Sequence, residues 1–416
     1  MTMRFQVYGW MLWAGLCAGN AAAMETGNGR EAAATPATDC AGAVAALAAD
    51  RAVSAERDAQ VEAICAAEAG RPRHDPETEA ALQQWQQANL GAIRRHVRTL
   101  MASRDPRDQV AAALIAPSAG EPLSGEEFSW TTEEATTAFA AARRLGPDDR
   151  LVAWLEVFDC PRARTGSGCD PQAVLERLQR LEPDNAAVWL PALEAAVADA
   201  DEASIDRLLS RAAAASRHGV PFSEIGLLLT RTLLDVDSPA MTSQVAQALG
   251  EDFGIGRAAN AEDMAGVHAM AIASAVALPA HQPLQRLCVG PDGKPPRATR
   301  LPSCIAIYAD MAQDGLLLSQ TVALTSLARL TADSAPGAQW RERLRHMHWI
   351  RSEGTKAMGV GIPEGYLKSV WRLGELPAME EMLRAAGVPT TPPPGWLPDD
   401  ERLRALITTG GVPPRG

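Results

Sequence analysis

Aromatic side chains make up only 5% of this 416-residue chain, and lysine occurs three times, at Lys294, Lys356 and Lys368. With 39 Lys+Arg against 51 Asp+Glu and a formal net charge of -12, the chain lacks the clustered positive charge with which a duplex nucleic-acid binder displaces counterions. Runs of Val, Ile and Thr are few, which argues against a sheet protein. Past the amino-terminal leader no apolar run approaches the ~20 residues of a membrane span; even the run Met270–Leu278 stops at Pro279.

The motifs of common chemistries are missing as well. Without C-x-x-C there is neither a zinc ribbon nor a thioredoxin-type redox pair. No G-x-S-x-G occurs, and the residues three before the lysines are Pro291, Glu353 and Gly365, so no S-x-x-K is present. Gly293-Lys294 has no Gly five residues before Gly293, and Gly254-Ile255-Gly256 runs on without a third Gly, which removes both phosphate-loop patterns. H-E-x-x-H is absent, and on a helix the rings of His346 and His348 stand about 200° apart, too far round to chelate one ion. The expectation is therefore no catalytic residue, no metal and no cofactor.

What is present is alanine, roughly one residue in five, and alanine is the strongest helix former. The expected fold class is all-α. Residues 1–23, MTMRFQVYGWMLWAGLCAGNAAA, combine one basic residue, an apolar run and Ala21-Ala22-Ala23, the pattern of a cleaved secretory signal peptide. Cys17 follows Leu16 rather than a small residue, which argues against lipidation. The expected location is periplasmic or extracellular, with no stable membrane insertion after cleavage. Six cysteines then remain, in three close couples. For an exported chain their sequential pairing, Cys40 with Cys65, Cys160 with Cys169 and Cys288 with Cys304, is the economical disulfide framework.

Helix starts recur where a capping residue precedes Pro: Asp75-Pro76, Asp105-Pro106, Asp170-Pro171 and Ser238-Pro239. Thr131 with Glu134 adds a capping-box pattern. From Pro76 the spacing of Leu82, Trp85, Ala88, Ile93, Val97, Leu100 and Met101 predicts one apolar stripe. In the centre, Ala135-x3-Phe139-x2-Ala142 leads to Leu145-Gly146-Pro147-Asp148-Asp149 and then Trp154; Leu175 and Leu178 lead to Leu181-Glu182-Pro183-Asp184-Asn185 and then Trp189. This pattern resembles the tetratricopeptide repeat, with a looser third unit from Pro221. The resemblance implies helical hairpins stacked as a solenoid over 126–258, about a third of the chain, with Pro191 distorting the helix that Trp189 opens. Around it the expected organisation is a flexible leader at 24–38, helical regions at 39–125 and 259–388, and a Pro-rich segment at 389–416 that packs on the body through Trp396.

One stretch suggests recognition. Helical spacing aligns Arg341, Arg345 and His348 on one stripe beside Trp349, and in an acidic protein such a stripe suits an anionic group on a partner. A solenoid presents an extended concave surface, so the function expected is that of an exported, non-catalytic protein that binds a protein or peptide in a bacterial-type envelope or outside the cell. The alternative is an exported enzyme of hydrolytic type whose site is assembled from residues distant in sequence. For the covalent framework, peptide mapping of the mature chain under non-reducing conditions is expected to find no free thiol and three local bridges; a Cys65–Cys160 crosslink in folded monomer would refute the pairing.

Overall fold

The computed structural model describes residues 74–119, 133–160, 170–277, 281–290 and 296–411. The leader, the stretch at 24–38, the Cys40–Cys65 couple, Cys169 and Thr131 lie outside them. Among the described residues the secondary structure is helical, with seventeen α-helices and no strand. In order these are α1 (Pro76–Met101), α2 (Pro106–Ala119), α3 (Glu133–Leu145), α4 (Arg150–Asp159), α5 (Pro171–Leu181), α6 (Leu190–Ala198), α7 (Glu202–Ala213), α8 (Phe222–Leu234) and α9 (Ser243–Asp252). They continue with α10 (Ala261–Val276), α11 (Gln282–Cys288), α12 (Leu301–Met311), α13 (Leu317–Leu330), α14 (Ala335–Met358), α15 (Tyr366–Leu373), α16 (Glu375–Ala385) and α17 (Glu401–Thr409). None is long and apolar enough to cross a membrane.

The caps act locally as their chemistry requires. The Asp75 and Asp170 carboxylates each accept two backbone N–H groups in the first turn that follows, and Asp105 Oδ1 accepts from Arg107 N at 2.8 Å, so orphan donors are satisfied at each helix start. Ser238-Pro239 starts no helix: α9 begins at Ser243 under a Thr242 cap, and the Pro239 carbonyl receives the indole N–H of Trp85 at 3.0 Å. The α1 stripe is buried at Leu82, Ile93, Val97 and Leu100, whereas Ala88 is exposed. Pro191, which has no N–H, splits its helix as expected. A 3-10 turn over Ala186–Trp189 ends there, and α6 opens with the proline in its first turn.

In the repeat-like region Ala135, Phe139 and Ala142 form the buried stripe of α3. Trp154 is buried with Ala153, Leu178, Ala187 and Val188 in a small core between α4, α5 and the 3-10 turn. α3 packs on α4, α4 on α5, and α6 on α7. From α7 to α9 the pairing also leaves sequence order: α8 packs on α10, α15 and α2, while α9 packs on α1 and α7 on α12. A line of alternating charges runs along the loop ends here, from Asp149 to Arg107, Glu224, Arg150, Glu182 and Arg217.

Cys288, at the end of α11, and Cys304, in the first turn of α12, form a disulfide with a Cα–Cα distance of 5.6 Å. Closing a loop of this length stabilises the folded chain by about 3 kcal/mol through the entropy removed from the unfolded ensemble. Cys160 is disulfide-bonded too; its expected partner, Cys169, lies outside the described residues. The loop before α12 is also tied to α7, where Arg300 pairs with Asp206 at 2.6 Å and with Glu202.

α8 and α15 approach at Gly226, where a Cβ would lie 2.2 Å from Cε3 of Trp371. Gly226→Ala is therefore expected to destabilise by about 1–3 kcal/mol, the range for overpacking a filled core. Urea denaturation checks it, and an unchanged midpoint would show that the Trp371 ring can move aside.

Candidate functional site

Of the stripe Arg341, Arg345 and His348 and the neighbouring Trp349, the structure brings Arg345 and Trp349 together against the proline-rich segment. Trp349, buried in α14, donates its indole N–H to the Pro389 carbonyl at 2.9 Å. Its ring meets that of Trp396 edge-on, with centroids 5.2 Å apart. Arg345 donates through Nη1 to the carbonyls of Pro393 at 3.1 Å and Trp396 at 3.5 Å, while Nε and Nη2 grip the Glu342 carboxylate at 2.8 and 2.7 Å. That fork geometry holds the guanidinium in place. The expected packing of Trp396 on the body is thus seen.

The other two residues serve different ends. Arg341 donates to the Ala332 carbonyl at 3.0 Å, satisfying an acceptor just past the end of α13. His348 is buried, and burial, reinforced by Arg351, lowers its pKa to about 4; it is neutral at pH 7 and brings no positive charge to an anion. His346, which its spacing gave no role, completes the set: its Nε2 lies 2.9 Å from the Thr390 carbonyl, so that nitrogen carries the proton and donates. Three side chains within about one turn of α14, Arg345, His346 and Trp349, hold the backbone of an extended segment. The local sequence offered no sign of this, because the acceptors are carbonyls 40 or more residues away.

A second polar cluster lies inside the molecule, around the start of α13. That helix has no side-chain cap of its own. Glu375, the first residue of α16, supplies one by accepting from Leu317 N at 2.6 Å. Asp314 precedes the helix and accepts at 3.0 Å from Nδ1 of buried His218. His281 stands 6.2 Å from His218 between ring centroids, with its Nε2 3.4 Å from Ser319 Oγ. These side chains come from four separate stretches of chain, so no linear motif announces them. Burial pushes Glu375 up to about 7, with the Asp314 charge adding to the effect, although the hydrogen bond from Leu317 opposes it. Burial draws His281 down to about 3. His218 and Ser319 are closed to solvent, and among the described residues no three His, Cys, Asp or Glu side chains are placed to hold a metal ion.

The sign of the linkage follows from these directions. Glu375 is raised in the folded state, so its contribution to stability is complete below pH ~4.5 and is lost as pH rises through about 7. The buried histidines act oppositely, favouring the fold above pH ~6.5 and weakening it as pH falls. Relative to the wild type, Glu375→Gln is expected to gain about 3 kcal/mol between pH 4.5 and 8, since Gln keeps an acceptor for Leu317 without a charge to bury. Thermal melts of both proteins across that range check it; parallel curves would show that Glu375 titrates normally.

Compared with known proteins, the chain matches no family model, no curated protein and no solved structure.

Proposed function

We propose that the chain is an exported, non-catalytic helical protein that binds a protein or peptide partner in a bacterial-type envelope or outside the cell. The observation that carries this reading is the face of α14, where Arg345, His346 and Trp349 grip the backbone of an extended segment by donating to its carbonyls. Backbone-directed donors beside an aromatic platform are the ordinary means by which folded domains take hold of peptides. The stacked hairpins proposed for 126–258 find support in the pairing of α3 with α4, α4 with α5 and α6 with α7, which would add a broader surface for the same partner.

A hydrolytic enzyme is the second reading, favoured by His281 beside Ser319 with the His218–Asp314 pair behind them. It fits less well, because Ser319 is fully buried and a nucleophile must meet its substrate.

Panning a random peptide library on the full chain tests binding, since multivalent display registers weak ligands. Enriched peptides carrying a photocrosslinker are expected to label residues 341–349 of α14. No enrichment overturns the reading, and labelling confined to other helices overturns the site.

A further inference from the structure

The segment from Pro389 to Trp396 is seated as a bound peptide would be. It runs against the direction of α14, with the Pro389 carbonyl on Trp349, that of Thr390 on His346 and that of Pro393 on Arg345. A turn closed by Trp396 N on the Pro393 carbonyl, with Gly395 at φ +75, then brings the Trp396 ring back onto Trp349. Pro followed by Gly at a positive φ is the chemistry of a type II turn.

Two features separate this contact from ordinary core packing. The first is complementarity: the helix side offers N–H donors, and the segment offers carbonyls from a stretch in which proline removes competing backbone donors and favours the extended form. The second is the exposure of its middle, between ends that pack on the core at Val388 and at Trp396 and Leu397. Between Pro389 and Trp396 only Pro392 is buried, Thr390 and Trp396 are half-buried, and the rest are exposed. The chain enters through an exposed Gly387 at φ +72, where a Cβ would meet nothing.

We propose that the face of α14 formed by Arg345, His346 and Trp349 is a recognition site for an extended, proline-rich segment of another protein, held in this chain by residues 389–396 as a resident competitor. The proposal rests on the peptide-binding reading above and narrows its partner to a chemical class. Because the grip is on carbonyls, it tolerates varied side chains but requires the extended, donor-poor backbone that proline imposes. Covalent attachment keeps the resident segment at high local concentration, so an incoming segment meets a site that is free only part of the time, and its apparent affinity falls by that fraction.

The test uses the full chain and a fluorescein-labelled peptide of residues 387–399, followed by fluorescence anisotropy. Gly395→Ala strains the turn at positive φ without creating a clash, since a Cβ there meets nothing within 4 Å, and it should loosen the resident while leaving the body folded. That variant is expected to bind the peptide about tenfold more tightly than wild type, the gain following the rise in free sites. In the Gly395→Ala background, Arg345→Gln should abolish most of the binding, and a peptide with Ala at Pro389, Pro392, Pro393 and Pro394 should bind weakly. Trp396→Ala in the full chain is the second variant, with circular dichroism showing whether each protein is folded. Folded Gly395→Ala and Trp396→Ala chains that fail to bind, or that bind the alanine peptide equally well, overturn the proposal. A peptide-induced dimer or an exchange of carboxy-terminal segments between two copies, seen by light scattering, would make the partner a second copy of this chain and would likewise overturn it. Should panning enrich α14-directed peptides that lack proline, the binding reading stands and this one falls.

Discussion

A fold made of many short helices has many helix ends, and each end carries backbone groups that must find partners when buried. That constraint organises this molecule. Eight helix starts carry their own side-chain caps; several other ends are reached by side chains from elsewhere in the chain. Glu375 caps α13 from the start of α16, Gln109 donates to the carbonyls of Leu100, Met101 and Ser103 at the end of α1, Arg343 reaches the Ala312 carbonyl after α12 and Arg341 the Ala332 carbonyl after α13. Each such bond joins two elements, so local satisfaction and tertiary assembly form together.

This arrangement explains why polar residues inside the molecule look like a site without offering open access. Around the α13 terminus, His218, Asp314, His281, Ser319 and Glu375 converge because several loops meet there and their polar groups need one another. In so apolar a setting the uncharged forms are favoured, which is the common cause of the raised Glu375 and the lowered His281. The surface charges follow a different rule. The Asp149–Arg107–Glu224–Arg150–Glu182–Arg217 line balances acid against base across the loop ends; its exposed members add little singly, but together they connect α2, α4, α5 and α8.

The face of α14 obeys the first rule with a different clientele. Its donors meet carbonyls that belong to no helix, in a segment whose prolines leave it few backbone donors of its own. A helix surface that satisfies such a segment within the chain has the chemistry to satisfy one presented by a partner, and this links the architecture to the proposed binding role.

The all-α class, all three Asp-Pro helix starts and the break at Pro191 were legible in the residues, because propensity and capping act within a few positions of one another. The Cys288–Cys304 bridge was legible too, since a short loop keeps its ends close. The apolar stripe of α1 was readable except at Ala88, a small residue that either face of a helix accepts. Arg345 and Trp349 could be singled out by spacing, but their partners could not: a helical wheel places side chains on a face and says nothing about what covers it. His346, the capping Glu375 and the His218–Asp314 pair acquired their roles from groups far away in the chain. Whether Arg341 met an anion or a helix end, and whether His348 carried a charge or lay neutral in the core, depended on burial and on the nearest unpaired backbone group, and both are set only when the helices pack.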